Sequence, residues 1–494
     1  MRLLLRLLIT AVTAACSDDG APTGPPQVSS KLDESVQSAL RASDTVDVIV
    51  LARTQLALGA TALEEHIEDV ASLPRATARA EAISRLQASA AAEQPPILTV
   101  LQGSPLVRPL WIANAVSARV TRETLDELVA VDEVRYVYAS PVNPGDFAAP
   151  IPFTGVPGIK APFDAGSKPV AWNLEEIRAP EAWDMSTGEG VLIALLDIGL
   201  NTAHPDLVGA LWVNPGEVAG NGMDDDNNGY VDDVHGYDLA RASPNIVAGG
   251  PHGAYVSGIL VGDGSDGTVL GVAPDAEILS LTIATDTDFA LAMEYAVDAG
   301  ADVVNMSFSI PNLANLRGFW RLVADHAAAA GLVLTSGAGN FAQNRPTPVQ
   351  LRIPEGIPSV LGVGGVDRDG QPTSFSSRGP VEWSTVRFYE DHPLPQGLMK
   401  PDVAAFPGPG YPILDPPGGY IDPNTGVAGN SFSGPQAAGV AALILSVAPD
   451  LNAWEVKDII ESTATDVGPP GKHNDTGWGV IDAAAAVSAA TGSP

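Results

Sequence analysis

The stretch Gly429-Asn430-Ser431-Phe432-Ser433-Gly434-Pro435 sets a serine between a glycine and a long alanine-rich apolar run, Ala437 to Val447. That pattern reads as a turn opening a buried helix, with Ser431 at its N-terminal end. Unpaired N–H groups and the positive end of the helix dipole favour the negative charge that forms when a hydroxyl attacks a carbonyl. A serine there also suits a plain N-cap, so Ser431 gains a catalytic meaning only if partners exist. Asp197 follows the apolar run Val191 to Leu196, and His252 opens His252-Gly253-Ala254-Tyr255-Val256-Ser257-Gly258. Serine is a poor nucleophile until a base takes its proton. Histidine titrates near neutrality and can take and return that proton, while a buried aspartate fixes the imidazole tautomer. Asn340, closing the glycine-rich Ser336-Gly337-Ala338-Gly339-Asn340, offers an amide donor to an oxyanion.

A second cluster, Asn221 to Asp233, is the densest group of oxygen ligands in the chain. Asp224, Asp226, Asn228 and Asp232 fall where an EF-hand-like loop places its first, third, fifth and ninth residues. Gly229 falls at the sharp turn, and Tyr230 would offer its carbonyl. His235 stands where that loop has its bidentate glutamate, so this is not a complete EF-hand. The expectation is a structural calcium ion; the alternative is a solvated acidic turn.

The elements that must position these residues read as follows. Continuous apolar runs at Val191 to Leu196, Ala276 to Leu281, Asp302 to Met306, Leu332 to Thr335 and Val360 to Val363 suit strands covered on both faces. Helical stretches at His252 to Leu260, Phe289 to Ala299 and Leu316 to Ala330 alternate with them. The fold class expected is α/β, a mostly parallel sheet with helices on both faces, whose active residues gather at the C-terminal strand edge. Residues 45–140 read as a separate small α+β unit. It has strands at Val46 to Leu51, Trp111 to Val120 and Val134 to Tyr138, a helical stretch Ala60 to Ala92 interrupted at Pro74, and a short helix capped by Thr121. Residues 141–171, rich in proline and glycine, read as a protease-accessible linker.

Taken together these motifs resemble the subtilisin-like serine proteases (subtilases). The order Asp, His, Ser is that family's. The similarity runs from about Trp172 to Ala490. It includes Asn201-Thr202-Ala203-His204-Pro205-Asp206-Leu207, Gly271-Val272-Ala273-Pro274, Asn305-Met306-Ser307, Phe375-Ser376-Ser377-Arg378-Gly379-Pro380 and Lys400-Pro401-Asp402. Residues 45–140, especially Leu110 to Ala115, resemble the family's inhibitory propeptide, a small ferredoxin-like domain. The resemblance implies an endopeptidase with Asp197, His252 and Ser431 as triad and Asn340 at the oxyanion. It also implies substrate pairing along Ser307-Phe308-Ser309, the last at a position usually glycine, and peptide or protein substrates with the chain's own propeptide as inhibitor. Three neighbours depart from the family pattern: Ile198, Ala254 and Asn430. Ile198 offers no hydroxyl to Asp197, whereas Asn430 retains an amide that could serve the oxyanion. A binding protein on the same scaffold, without turnover, is the alternative.

Composition bounds the rest. The 494 residues carry 59 acidic and 26 basic side chains, a formal net charge of -33, which argues against nucleic acid as a partner. The one cysteine, Cys16, excludes an intramolecular disulfide. Residues 1–15 read as an export signal, and Cys16 as a site of lipid attachment in the manner of a bacterial lipoprotein, with plain secretion the alternative. Residues 16–44 then form a tether, membrane contact is confined to that lipid anchor, and the protein is expected to be a monomer. His204 reads as a structural turn residue and His326 as surface or packing. His392 and His473 carry no readable role, and Ser376 and Ser377 read as turn serines.

Overall fold

The computed structural model describes residues 31–70, 73–140, 163–200, 204–247, 250–310, 313–416 and 418–492. The expected signal, Cys16, most of the linker and Asn201 to Ala203 lie outside the described residues.

The small unit is a four-stranded antiparallel sheet of β1 (Thr45–Ala52), β2 (Arg108–Leu110), β3 (Ala115–Thr121) and β4 (Val134–Ala139), in the order β2-β3-β1-β4. With helices Ala60–Val70 and Arg75–Val100 after β1, and Arg122–Ala130 after β3, this is the ferredoxin-like succession. The helical stretch is interrupted around Pro74 as expected: one helix ends at Val70, and Pro74, with φ -54°, stands at the N-cap of the next. Thr121 accepts a hydrogen bond from the Thr124 amide, as its capping role requires. Three boundaries differ from expectation, the first being the long helix, which runs to Val100 rather than ending at Ala92. Trp111 to Asn114 form a turn, not strand, with Asn114 at φ 38°. Residues 31–44 are not all tether: Asp33 caps a helix, Glu34–Ala42, which buries Val36 and Leu40 on the small unit, and Leu32 bridges Val137. Hydrophobic burial there outweighs the polar composition that suggested a flexible segment.

The larger unit is built on seven parallel strands: β5 (Leu192–Asp197), β6 (Gly236–Asp238), β7 (Glu277–Thr282), β8 (Val303–Met306), β9 (Val333–Gly337), β10 (Val360–Gly365) and β11 (Val403–Ala405). Their spatial order is β11-β10-β9-β8-β5-β7-β6. From β5 the chain crosses to β6 at the sheet edge, returns to β7 between them, and then places β8 on β5's other side. The crevice of such a reversal, beyond the C-terminal strand ends, is where open α/β sheets bind ligands. Two helices that are apolar on nearly every face, His252–Val261 and Ser433–Val447, run through the core.

The two units are joined by polar contacts as well as by a common apolar core. Arg75 pairs with Asp302 at 2.9 Å and donates to the Gly331 carbonyl. Arg79 donates to the carbonyls of Ala301 and Val297. The Ile112 amide donates to Glu294 at 2.9 Å. His326, expected on a surface or packing face, is fully buried at this junction.

Candidate active site

β5, β8 and β9 are adjacent, and the registers Leu196↔Met306 and Met306↔Ser336 bring their C-terminal ends level. Asp197 ends β5, Ser307 follows β8, and Asn340 lies three residues past β9. The short turn Asn430–Phe432 carrying Ser431 sits directly on β9. A Cβ added to Gly337 would meet the Asn430 carbonyl oxygen at 1.9 Å, and one added to Gly434 would meet the Gly337 nitrogen at 2.7 Å. Glycine at both positions allows that approach. Gly253 does the same for His252: its Cβ would meet the Gly199 carbonyl oxygen at 1.9 Å, so the helix of His252 lies hard against the loop after Asp197.

The His252 Nδ1 lies 2.9 Å from each carboxylate oxygen of Asp197. Asp197 is buried, and its Oδ1 also accepts the Ile198 amide at 2.7 Å. That donor is the backbone, which any residue at 198 would supply; the Ile198 side chain adds none and is 43% exposed. Burial lowers the His252 pKa, but the charge of Asp197 and its hydrogen bond outweigh this, and the ring titrates above its ordinary value. The ring of Tyr255, one turn along the helix, lies 6.3 Å from that of Phe432, which sets this helix beside the serine turn. The Ser431 hydroxyl donates to the Ser307 carbonyl at 3.3 Å, and the Ser307 hydroxyl donates to the Ser431 carbonyl at 3.0 Å.

Asn340 is exposed, and its Oδ1 accepts the Asn430 amide at 2.9 Å. That bond orients the side chain so that its Nδ2 lies beside Gly429, over the serine turn. Asn430 itself does not serve the oxyanion as its amide suggested. It is fully buried, donating to the Gly339 carbonyl at 2.6 Å and the Ser376 hydroxyl at 3.1 Å. It acts as a brace between the serine turn and the Asn340 loop. Ser376 and Ser377 are more than turn residues for the same reason, since Ser377 accepts the Phe341 amide at 2.9 Å. Sequence gives no signal for this bracing, because the partners are tens of residues apart. Glu355 carries no signal in the sequence either. Fully buried, it accepts the Ser309 hydroxyl at 2.5 Å and the Arg352 amide at 3.0 Å, and burial pushes its carboxyl up to about 7. Phe308 packs edge-on at 6.4 Å from Trp320.

The profile of the subtilase family matches residues 188–479. The chain belongs to the subtilase family. Bacillopeptidase F of Bacillus subtilis (strain 168) is 26% identical to this subtilase over 443 residues, 84% of the chain and 29% of the relative. Subtilisin E of the same strain is 30% identical over 309 residues, 60% of the chain and 67% of the relative. Fervidolysin of Fervidobacterium pennivorans is 26% identical over 359 residues, 64% of the chain and 43% of the relative. The chain spans less than a third of bacillopeptidase F.

The acidic loop is arranged differently from the EF-hand expectation. Asp224 accepts the amides of Asn228 and Gly229, and Asp232 those of Asn221 and Gly222. Asn228 accepts the Tyr230 amide, and the Tyr230 ring packs against Tyr237 and Tyr295. These groups hold the loop's own shape. Among the described residues, the carboxylates that converge are Glu217, Asp226 and Asp233, with one oxygen from each lying within 4.8 Å of the others. Only Asp226 belongs to both sets. Position-by-position spacing found the loop but not the partner Glu217, which precedes it. His204 is buried in its turn, its Nδ1 accepting the Asp206 amide.

Proposed function

We propose that this subtilase is a serine endopeptidase made as an exported zymogen. The observation that carries the proposal is the Asp197–His252 pair, held at 2.9 Å on strands and helices that also seat Ser431. In the reading, the Ser431 hydroxyl leaves the Ser307 carbonyl by a side-chain rotation and passes its proton to the free ring nitrogen of His252. Its oxygen forms a bond to the peptide carbonyl carbon, and the carbonyl π electrons move to oxygen. Asn340 Nδ2 and the Ser431 amide hold that oxyanion. The tetrahedral species collapses, the C–N bond breaks, and His252 returns the proton to the leaving amine. Water then releases the acyl group by the same steps. Extended substrate pairs along Ser307-Phe308-Ser309. Residues 31–140 act as the propeptide, cleavage falls within 141–171, and Cys16 carries a lipid anchor.

A serine-directed fluorophosphonate probe, with the adduct located by mass spectrometry, tests the centre of this reading. Labelling at Ser431 in processed protein supports it. Ser431→Ala should abolish peptide hydrolysis and leave residues 31–140 attached. Unlabelled processed protein would favour the rival reading, a non-catalytic binding protein. The engagement of the Ser431 hydroxyl by Ser307, and Ile198 and Ala254 beside the triad, favour that rival.

The convergent carboxylates fit a hard cation such as calcium: an oxygen of Glu217, Oε2, is buried without a protein partner. Asp226 and Asp233 would complete the anchor, tying down the loop between Asp197 and His252. Chelation is expected to lower the thermal midpoint, and Glu217→Gln to remove most of that difference. An unchanged midpoint after chelation counts against the ion.

A further inference from the structure

We propose that a cavity beside the substrate edge binds a carboxylate and selects peptide substrates with a glutamate or aspartate next to the scissile bond. The selection of substrates rests on the protease reading; the binding of a carboxylate does not. The cavity has a volume of about 380 Å³, with Ile310 and Ile353 among its apolar walls and Arg317, Arg345 and Arg352 converging on it. That is room for one amino-acid side chain with some water.

The charges are unbalanced. Arg317 is engaged: its Nε donates to the Ala314 carbonyl at 3.2 Å, its Nη1 donates to the Glu382 carbonyl at 3.1 Å, and its guanidinium lies 5.4 Å over Trp383. Glu382, the one acid on the wall, accepts the Ser384 hydroxyl at 2.6 Å. Arg345 and Arg352 have no carboxylate within ion-pairing distance among the described residues, although acids outnumber bases 59 to 26 in the sequence. The Arg352 Nε is buried without a partner. Burial and the charge of Arg345 both weaken the proton's hold on Arg352, with Glu355 acting the other way. Two like charges facing one cavity in an acidic protein are stabilised by an anion that bridges them. Guanidinium groups match the planar carboxylate with paired hydrogen bonds.

The cavity is tied to the reaction centre on two sides. Ile310 follows Ser309 and donates its amide to the Ile353 carbonyl at 2.7 Å. The Arg352 guanidinium stacks at 3.9 Å on Phe341, which follows the oxyanion donor Asn340. A substrate lying on the edge would therefore have a side chain within reach of these arginines. Arg345 is exposed at the mouth, so entry from solvent is open.

The experiment has two arms. In the first, processed protein is given peptides that differ only by Glu, Gln or Lys at one position near the cut. At least a tenfold preference in kcat/KM for Glu over Gln is expected. It should fall below threefold in Arg345→Gln and Arg352→Gln. Equal cleavage of all three peptides overturns the specificity and leaves the protease reading intact. In the second arm, N-acetylglutamate amide and N-acetylglutamine amide are titrated calorimetrically into protein whose Ser431 has been blocked by a sulfonyl fluoride. If no hydrolysis or blocking occurs, the full chain is used. Binding of the glutamate compound alone, weakened tenfold in each arginine variant, supports the pocket even if the protease reading fails. Equal or absent binding of the two compounds overturns it.

Discussion

At the residue scale, the proposed chemistry depends on how Asp197 sets the charge of His252. The carboxylate raises the imidazole pKa despite burial. A general base must be neutral, so kcat/KM is expected to rise with pH through a value above the ordinary 6.5 of histidine. Asp197→Asn keeps the shape but removes the charge and the acceptor that fixes the tautomer. Its kcat should fall by roughly 10⁴-fold, and its acid limb should move to lower pH. A pH–rate profile of the two proteins checks both. An unmoved limb would mean that another group titrates. The neighbouring substitutions look different in three dimensions than in sequence. Ile198 gives Asp197 a backbone hydrogen bond, Ala254 is buried, and Asn430 replaces oxyanion chemistry with bracing.

At the element scale, close approaches of backbone place the three candidate residues. The helix His252–Val261 can lie against the loop after β5 only because Gly253 has no side chain. A methyl group there would sit 1.9 Å from the Gly199 carbonyl oxygen, well inside contact distance. Gly253→Ala is therefore expected to push His252 away from Asp197. A displacement of about 1 Å at a catalytic pair costs on the order of 100-fold in rate. The loss should appear in kcat with the far-UV circular dichroism unchanged. Activity within threefold of the parent would show that the helix can shift without moving the ring.

At the scale of the whole molecule, the junction between the two units buries a titratable ring among apolar and polar contacts. The His326 Nδ1–H donates to the Ile112 carbonyl at 2.6 Å, and its Nε2 accepts the Ala57 amide at 3.1 Å. Both roles belong to neutral imidazole. Burial pushes this ring down to about 4; the backbone hydrogen bonds oppose that shift, and nearby His66 adds to it. A base with a lowered folded pKa stabilises the fold fully above its unfolded value. That contribution is lost as pH falls from about 6.5 towards 4, where unfolded chains take up a proton that the folded chain refuses. The loss is of order 3 kcal/mol. It should be visible as a falling urea midpoint in uncut Ser431→Ala protein. Adding His326→Gln should flatten the curve between those pH values. An equally steep curve in the double variant would place the effect elsewhere. Among the described residues, no helix is long and apolar enough to cross a membrane.

The sequence by itself determined the α/β succession, the small α+β unit and the residue types of the candidate triad. Each is written in contiguous residues: apolar runs for strands covered on both faces, Thr121 for a cap, Pro74 for a break, glycines flanking Ser431. Local signals of that kind survive without a fold. Tertiary structure decided what depends on residues distant in the chain. It made Asn430 a brace to Gly339 and Ser376, set Glu355 under Ser309, and buried His326 between Ala57 and Ile112. It chose Glu217 and Asp233 to join Asp226, and it gathered Arg345 and Arg352 around one cavity. Spacing along a chain fixes neither the direction of a side chain nor its partner across the sheet; packing fixes both.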